Sequence, residues 1–255
     1  MSRIALIADI HGNVLALEAV LRDLARRDVD GVFNLGDALY GPLCPVETFE
    51  LLASVPMTHL AGNGDRELIE PRSAVPESPE NLASRLGRTL DEKILAWIRE
   101  MPFQTLSEDI FFCHASPASD TEYLLEDVAN VSEGMLHPKS PEAVEAVVGD
   151  IPCSLVACAH SHLPRVVRLD SGKLVVNPGS VGLPAYEKTV PVPHRMESLS
   201  PHARYAVAER AGCGWSVEQF QVAYDWEAMA RVAEQNGSPE WGHALRTGRV
   251  RCPAR

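Results

Sequence analysis

The sequence predicts an α/β fold in which parallel strands pack beneath helices. Over residues 4–65, short apolar runs alternate with segments whose apolar residues recur at helical spacing, in the order strand, helix, strand, helix, strand. Each of these strands ends in polar residues, at the edge where a parallel sheet places its ligand site. Hydrophobic residues make up 45% of the 255-residue chain, which is enough for a sizeable core.

The first half of the chain contains the clearest strands and helices. Strands are predicted at IALIA, GVFNLGD and MTHLAGNGD, and helices at VLALEAVLRDLARRD and VETFELLAS. The third of these strands runs into a glycine-rich turn. A proline-rich loop is expected at residues 71–81, and the helical pattern TLDEKILAWIREM follows it.

The second half continues with strands that break at histidine or asparagine. SEDIFFCHASP predicts a strand that ends in His114, and a loop with short helices follows, of which PEAVEAVVGD is the clearest. SLVACAHSHLPRVVRL is strand-like but interrupted by His160 and His162, and KLVVNPGSVG breaks into an Asn-Pro-Gly turn. ARYAVAER and WSVEQFQVAY predict a β-hairpin, and DWEAMARVAEQNG predicts a final helix.

We expect these elements to form a single domain over residues 1–255. It would carry a variable insertion at about 185–202 and a C-terminal helix and tail at about 225–255. The arginine-containing tail RTGRVRCPAR is most simply a frayed, solvated end.

The net charge is −12, from 35 acidic and 23 basic residues, and it argues against broad binding to nucleic acid or to anionic membranes. The six cysteines form no CxxC pair, and their scattered spacing is typical of the reducing cytosol. We find neither a leader-like N-terminus nor an apolar run of membrane-spanning length. The composition predicts a cytoplasmic protein with no membrane or extended nucleic-acid partner, and it leaves a homo-oligomer open.

Five polar signatures occur in chain order, each where a predicted strand ends. They are D-x-H (Asp9, His11), G-D (Gly36, Asp37), G-N-x-D (Gly62, Asn63, Asp65), a lone histidine (His114) and H-x-H (His160, His162). Singly, such residues usually belong to a turn or a satisfied core position. Their joint occurrence at successive strand ends predicts a shared site. In an extended segment, Asp9 and His11 would point the same way and converge on one point.

Six sequence blocks carry a resemblance to a known family. ADIHGN, GDALYGP, GNGDREL, FFCHASP, CAHSHLP and VVNPGSVG occur in the order in which that family has them. Over roughly residues 1–184 the chain resembles the calcineurin-like metallophosphoesterases, within the compact bacterial group of predicted phosphodiesterases. The resemblance implies an αββα sandwich, in which two packed mixed β-sheets are flanked by helices and a two-metal site lies at the strand ends.

The resemblance also implies a set of metal ligands. It assigns the first metal to Asp9, His11, Asp37 and His162. It assigns the second metal to Asp37, Asn63, His114 and His160. Asp37 would bridge the metals, and the catalytic residues would be Asp37, Asn63 and His114. A metal-bridging hydroxide would then attack phosphorus in line, with no protein nucleophile.

The donor types support two divalent transition metals independently of the resemblance. Imidazole nitrogen mixed with carboxylate and amide oxygen suits manganese, iron, zinc, cobalt or nickel better than calcium or magnesium. The H-x-H spacing allows the two imidazoles to serve different metals. Two divalent ions, two aspartates and one hydroxide would leave a site charge of about +1, so an acidic protein would gain a local anion trap.

One departure from the family pattern lies at Gly64. Many relatives have a histidine there, which is thought to assist the leaving oxygen, and some close bacterial relatives have cysteine. Because Gly64 has no side chain to donate a proton, we predict a preference for esters with good leaving groups, or protonation by water. Ala159, which precedes the H-x-H motif where glycine is usual, changes only backbone freedom.

Further residues are weaker candidates for the site. Asn13 and Asp65 would position metal ligands or cap turns, and Tyr40 and Arg66 would contact substrate or simply pack. Asn177, in the Asn-Pro-Gly-Ser turn, is expected mainly to hold that turn rigid.

The segment 185–202 departs from the usual family continuation. It contains phosphate-compatible donors, which are Tyr186, Lys188, His194, Arg195 and His202. We expect either a lid or subunit contact that reads the non-reacting end of the substrate, through His194 and Arg195 among others, or a variable surface loop.

Three functions are compatible with these observations. The first is a metal-dependent phosphodiesterase acting on a small phosphorylated substrate. The second is a phosphomonoesterase for a nucleotide or phosphoprotein, which would use the same site. The third is a binding scaffold on this fold without catalysis, as in a relative that is a subunit of a vesicle-sorting coat. The complete set of ligand positions favours an enzyme, while the substrate stays open.

Overall fold

The computed structural model describes residues 3–70, 82, 86, 89–212 and 214–251, so the loop predicted at 71–81 lies outside the described residues. The strands are β1 (Arg3–Ile7), β2 (Gly31–Asn34), β3 (Thr58–His59), β4 (Gln104–Ser107), β5 (Ile110–Cys113), β6 (Glu126–Ser132), β7 (Met135–Pro138), β8 (Leu155–Ala157), β9 (Arg165–Arg168), β10 (Leu174–Asn177), β11 (Ala185–Lys188), β12 (His194–Glu197), β13 (Ala203–Ala211) and β14 (Gly214–Val222). The helices are α1 (Val14–Leu24), α2 (Pro45–Ser54), α3 (Asn63–Ile69), α4 (Glu92–Arg99), α5 (Pro141–Val148), α6 (Trp226–Gln235) and α7 (Pro239–Thr247).

Two five-stranded mixed sheets form the centre of the molecule. The first has the order β14-β13-β1-β2-β3, and the second has the order β4-β5-β8-β10-β9. The predicted parallel pairing of the first three strands is confirmed, since β2 pairs with both β1 and β3 in parallel. In the second sheet, β8 pairs in parallel with β5 and β10. The carboxyl ends of these strands therefore lie at corresponding sheet edges.

Buried apolar side chains hold the two sheets face to face. Leu6 and Phe33 of the first sheet pack with Phe112 and Val176 of the second, and the rings of Phe33 and Phe112 stack with centroids 4.2 Å apart. Helices α1, α2 and α4 cover the outer face of the first sheet, and α5 covers the outer face of the second. The predicted αββα sandwich is confirmed.

A third sheet, in the order β11-β12-β7-β6, was not predicted. The loop and short helices expected after His114 are wrong for residues 126–138, where β6 and β7 form an antiparallel pair with a register shift. The polar segment EDVANVS is largely exposed in β6 and lacks a clean apolar alternation, so its sequence does not resemble a strand. Segment 185–202 contributes β11 and β12 to the same sheet.

The C-terminal region contains two helices where the sequence predicted one. Gly237, with φ of +78°, separates α6 from α7. Arg246 belongs to α7 and pairs with Glu227 and Glu234, so the expectation of a frayed tail is wrong at this residue. Within the described ranges, every helix is too short or too polar to cross a lipid bilayer.

Candidate metal centre

The turns that follow β1, β2, β5 and β8, together with the start of α3, bring seven side chains to one place. We call these residues the metal-ligand cluster: Asp9, His11, Asp37, Asn63, His114, His160 and His162. All seven are buried. Asp9, His11 and His162 offer ligand atoms within 4.8 Å of one another, and Asp37, His114 and His160 form a second such group. The two histidines of the H-x-H motif thus belong to different groups.

Left-handed backbone turns, rather than an extended segment, produce this convergence. β1 ends at Ile7, and Asp9 and His11 have φ of +52° and +53°, so the predicted extended geometry for this pair is wrong. Asp37, His160 and His162 also have positive φ. Such conformations are uncommon for residues with a Cβ and persist only when the surroundings enforce them. Here the amide of Asp9 donates to Gly36 and the amide of His11 donates to Asp37, which ties the turn to the end of β2.

Backbone carbonyl groups fix the orientation of three imidazoles. The Nδ1 contacts are His11 to Tyr40 O at 2.6 Å, His114 to Leu35 O at 2.8 Å and His162 to Leu183 O at 2.6 Å. A carbonyl oxygen only accepts hydrogen bonds, so Nδ1 carries the hydrogen and Nε2 presents its lone pair. This tautomer is the one a metal requires at Nε2.

Several buried ligand-type atoms in the cluster have no hydrogen-bond partner. They are both carboxylate oxygens of Asp9, Oδ1 of Asn63, and Nε2 of His114 and His160. In addition, Nε2 of His11 lies 3.2 Å from Nε2 of His162, although both present lone pairs. Unsatisfied buried polar groups are rare in folded proteins because each costs about 1–3 kcal/mol. Cations among these nitrogen and oxygen donors would satisfy them, so the residues fit two divalent transition-metal ions.

Burial shapes the protonation of the cluster. Burial and the neighbouring Asp37 carboxylate raise the pKa of Asp9, and burial lowers the pKa of His11, His160 and His162. Burial acts to raise the pKa of Asp37, but His114 and His11, with the Gly64 amide and the charge of Lys188, together outweigh burial and lower that pKa. Neutral imidazole and ionised carboxylate are the metal-binding forms, and bound cations would favour both.

Two of the weaker sequence candidates hold turns next to the cluster. Asp65 accepts hydrogen bonds from the amides of Ala38 and Gly62, at 3.0 and 3.1 Å, and thereby joins the segments that carry Asp37 and Asn63. Burial and the Asp37 charge raise the pKa of Asp65 to about 7.

Asn13 lies below the turn that carries Asp9 and His11. Its Oδ1 caps α1 by accepting from the amide of Ala16 at 3.1 Å, and its Nδ2 donates to the carbonyl of Gly182 at 2.9 Å. Asn13 is therefore a helix cap and a cross-link to the segment that contains Gly182.

The Asn-Pro-Gly-Ser turn forms hydrogen bonds with the backbone segments that carry the cluster residues. Asn177 donates from Nδ2 to the carbonyl of Ala159 at 2.8 Å and to Oγ of Ser161 at 3.1 Å, within the H-x-H segment. Ser180 donates to the carbonyl of Asp9 at 2.8 Å. The turn therefore links the segments that carry His160 and Asp9.

A hydrogen-bonded series of ring side chains, Tyr186, Tyr123 and His194, lies against His160. The sequence analysis did not predict it. The hydroxyl of Tyr186 donates to the carbonyl of His160 at 2.9 Å and lies 2.9 Å from the hydroxyl of Tyr123. The Tyr123 hydroxyl also lies 2.8 Å from Nε2 of His194, and its ring stacks on the His160 ring. His194, predicted to contact substrate, is buried in this series instead. No local pattern marks Tyr123, since its partners are far away in sequence.

Tyr40 occupies the space beside Gly64. A Cβ added at Gly64 would lie 2.7 Å from Cβ of Tyr40 and 3.1 Å from Oδ1 of Asp37. The amide of Gly64 donates to that same Oδ1 at 2.7 Å. Burial raises the pKa of Tyr40 to about 12, with Glu67 and Asp37 adding to the shift. The position of Tyr40 thus leaves no room for a side chain at residue 64.

A cavity of about 280 Å³ opens over the cluster. Its floor includes cluster residues, and its walls come from β11, α7 and the segment after α7. The wall residues are Leu183, Ala185, Tyr186, Glu187, Lys188, Glu240, Trp241, Ala244, Val250 and Arg251, with Tyr40 beside the floor.

Two predicted substrate contacts lie elsewhere. Arg66 is held by Asp120 and Glu70, with its Nε 2.6 Å from Asp120 Oδ2. Arg195 lies on β12 with its Nε 3.4 Å from Sδ of Met135. Neither contributes to the cavity over the cluster.

Comparisons with known proteins identify the family and agree with the fold. The chain is 26% identical over 273 residues to an uncharacterized protein of Methanocaldococcus jannaschii, covering 97% of this chain and 99% of that protein. A metallophosphoesterase from Sphaerobacter thermophilus has a similar structure, with a TM-score of 0.75 and 23% identity over 97% of this chain and 99% of that one. A candidate diadenosine tetraphosphatase matches with a TM-score of 0.52 and 15% identity over 87% of this chain and 94% of its own. Residues 2–193 match the calcineurin-like phosphoesterase superfamily domain, and the chain therefore belongs to that superfamily.

Proposed function

We propose that this protein is a dimetal-dependent phosphoesterase that hydrolyses a small phosphodiester. The observation that carries the proposal is the set of buried, unpartnered ligand atoms in the metal-ligand cluster. Two bound divalent ions of manganese, iron, zinc, cobalt or nickel would hold the phosphoryl oxygens and lower the pKa of the attacking water.

The chain's own residues would divide between the two ions as the family resemblance implies. One ion would be held by Asp9, His11, Asp37 and His162. The other would be held by Asp37, Asn63, His114 and His160. The position of Asp37 supports its sharing, because its Oδ2 lies 3.8 Å from Nε2 of His11 and 3.6 Å from Nε2 of His114, one nitrogen from each side.

The size of the cavity favours a small phosphodiester as substrate over a phosphoprotein. A space of about 280 Å³ accepts a ligand of mononucleotide size or less, and its apolar wall offers room for a second, non-reacting ester group. A phosphomonoesterase would use the same residues. A binding scaffold would not need the unpartnered atoms that the cluster retains.

Leaving-group chemistry follows from Gly64 and Tyr40. With no side chain at residue 64, and with Tyr40 in that space at a pKa of about 12, the site holds a poor proton donor there. We expect aryl phosphodiesters to react much faster than alkyl phosphodiesters, because aryloxide leaves without protonation. Equal rates across leaving-group pKa would contradict this expectation.

The decisive experiment is metal reconstitution followed by a substrate screen. Chelator-treated protein is reloaded with each metal, its metal content is measured, and phosphomonoesters, phosphodiesters and dinucleoside polyphosphates are assayed. We expect about two equivalents of metal per chain and hydrolysis of an aryl phosphodiester only after loading. A protein that retains no metal and hydrolyses none of these esters would refute the proposal.

A further inference from the structure

Lys188 extends from β11 towards the metal-ligand cluster. Tyr186 and Lys188 are two residues apart on this strand, so their side chains leave the same face. The ring of Tyr186 lies against the ring of His162, with centroids 4.5 Å apart. Lys188 lines the same cavity as His11 and Asp37. Lys188 thus borders the space where a substrate would lie.

The ammonium group of Lys188 has no anionic or hydrogen-bonding partner in the described part of the chain. It is half-buried and makes no hydrogen bond and no ion pair within 4 Å there, and its Nζ lies over the face of the Tyr186 ring, 5.7 Å from the centroid. Burial lowers its pKa, and the charges of Asp37, Glu67 and Asp9 act in the opposite direction without touching it. By contrast, the buried Lys173 donates to three backbone carbonyl groups at 2.6–3.1 Å. A half-buried cation whose charge meets an aromatic face but no anion is suited to an incoming anion.

Helix α7 packs with β11 and contributes apolar side chains to the cavity wall. Trp241 is half-buried, and its ring lies edge-on to the His11 ring with centroids 5.7 Å apart. Ala244 and Val250 extend this apolar surface. The helix lies beyond the matched superfamily domain, which ends at residue 193. This wall therefore lies outside the matched domain, although the relatives that cover 97% of the chain extend over this region.

We propose that Lys188 and Trp241 are the substrate-recognition residues of the cavity and select an aromatic phosphodiester. Lys188 donates a hydrogen bond to a non-bridging phosphate oxygen. Trp241 packs against a flat aromatic group on the non-reacting ester, such as a nucleobase or a phenyl ring. The reaction itself rests on the proposed phosphoesterase function, whereas the binding of phosphate by Lys188 does not.

The role of Lys188 is tested with Lys188→Met and Lys188→Arg, and with Lys93→Met as the control that removes an exposed charge on α4. Phosphate binding to metal-loaded protein is measured by calorimetry, and kinetics are measured with bis(4-nitrophenyl) phosphate. We expect Lys188→Met to weaken phosphate binding and to raise KM by about 10- to 100-fold with little change in kcat, since the contact is equal in ground and transition states. Lys188→Arg should retain most of the binding.

The role of Trp241 is tested with a substrate pair that shares one leaving group. The pair is 4-nitrophenyl phenyl phosphate and 4-nitrophenyl methyl phosphate. Trp241→Ala should lower the ratio of kcat/KM for phenyl over methyl by about tenfold, and Trp241→Phe should restore most of it. Trp226→Ala, which removes a half-buried tryptophan outside the cavity, should leave the ratio unchanged.

The outcomes separate this inference from the proposed function. If metal-loaded wild type cleaves no ester but Lys188→Met still weakens phosphate binding, the phosphoesterase proposal fails and the role of Lys188 is supported. If Lys188→Met matches Lys93→Met in both phosphate affinity and KM, the role of Lys188 is overturned. An unchanged phenyl-to-methyl ratio in Trp241→Ala overturns the role of Trp241.

Discussion

Two clusters in this molecule place aspartate carboxylates in opposite surroundings. The metal-ligand cluster contains buried carboxylate and imidazole groups whose ligand atoms lack partners. The second, which we call the Asp23 cluster, consists of Asp23, Arg27, Tyr205 and Phe220 at the end of α1. There, Arg27 and Tyr205 donate to Oδ2 of Asp23, and the guanidinium of Arg27 lies 3.6 Å from the centre of the Phe220 ring.

The presence or absence of hydrogen-bond partners indicates whether a cluster serves function or stability. A polar group with all its partners in place stabilises the fold, and its loss costs stability. A buried polar group without partners destabilises the fold and is retained where function needs it. Backbone conformation agrees, because Asp9 and His11 hold left-handed turns whereas Asp23 lies within a regular helix. Substitutions in the two clusters should therefore affect different measurements.

The largest effect is expected for Asp9→Asn. Loss of one ligand charge should lower kcat/KM by about 10³-fold and reduce the metal content. The metal-free protein should remain as stable as wild type, because both oxygens of Asp9 lack partners and an amide can donate to Nε2 of His162, now 3.5 Å from Oδ1. Metal analysis, kinetics and urea denaturation measure these quantities. A less stable, metal-replete variant would contradict the comparison.

The next effect is expected for Gly64→Ala. The added Cβ would press on Tyr40 and Asp37, at 2.7 and 3.1 Å, and displace a shared metal ligand. We expect kcat/KM to fall by about 100-fold and the free energy of unfolding to fall by about 1–3 kcal/mol. This sign opposes the usual stabilisation by alanine in a helix. The control is Gly212→Ala, where a Cβ meets no described atom within 4 Å; if both variants behave alike, Tyr40 does not constrain position 64.

A smaller effect is expected for Tyr123→Phe. The variant keeps the ring that stacks on His160 and removes the hydroxyl that joins His194 to Tyr186. Metal affinity should weaken by about tenfold, as is usual when a supporting hydrogen bond is lost. Calorimetric titration with the metal measures this change in affinity. Tyr205→Phe is the matched control from the Asp23 cluster, and it should change stability without changing metal affinity.

Local sequence patterns were sufficient to predict the strands of the two central sheets that carry the metal-ligand cluster. The apolar runs of β1, β2 and β5 indicated buried strands, and their polar endings pointed to Asp9, Asp37 and His114. The structure brings these residues together with the H-x-H histidines. Such features are readable because strand period and strand termination are set by neighbouring residues.

The features that the sequence did not predict depend on contacts between segments that are distant along the chain. Left-handed φ at Asp9 is enforced by hydrogen bonds to the segment that follows β2, and it cannot be predicted from residues 4–13 alone. The position of Trp241 beside His11 depends on how α7 packs, and no motif marks it. His194 looked like a phosphate donor by residue type, and only its burial against Tyr123 assigns it a supporting place.

The smallest functional effect is expected for Asp23→Asn, which completes the comparison with Asp9→Asn. The amide would set a donor against the donors of Arg27 and Tyr205, so the free energy of unfolding at pH 7 should fall by about 1–2 kcal/mol. Metal content and kcat/KM should match those of wild type, because the Asp23 cluster contributes no residue to the cavity. Urea denaturation and steady-state kinetics give both quantities.

The pH dependence of this last variant separates a partnered carboxylate from a general loss of packing. Burial acts to raise the pKa of Asp23, but hydrogen bonds from Tyr205 and Arg27 outweigh it and lower the pKa below its ordinary value of 3.8. A depressed folded-state pKa stabilises the protein fully above the unfolded-state value, and that stability is lost as pH falls through the folded-state value. The stability difference between wild type and Asp23→Asn should therefore be constant from about pH 7 to 5 and shrink below about pH 4. A difference that persists unchanged into acid would mean that shape, and not the ionised hydrogen bonds, makes Asp23 stabilising.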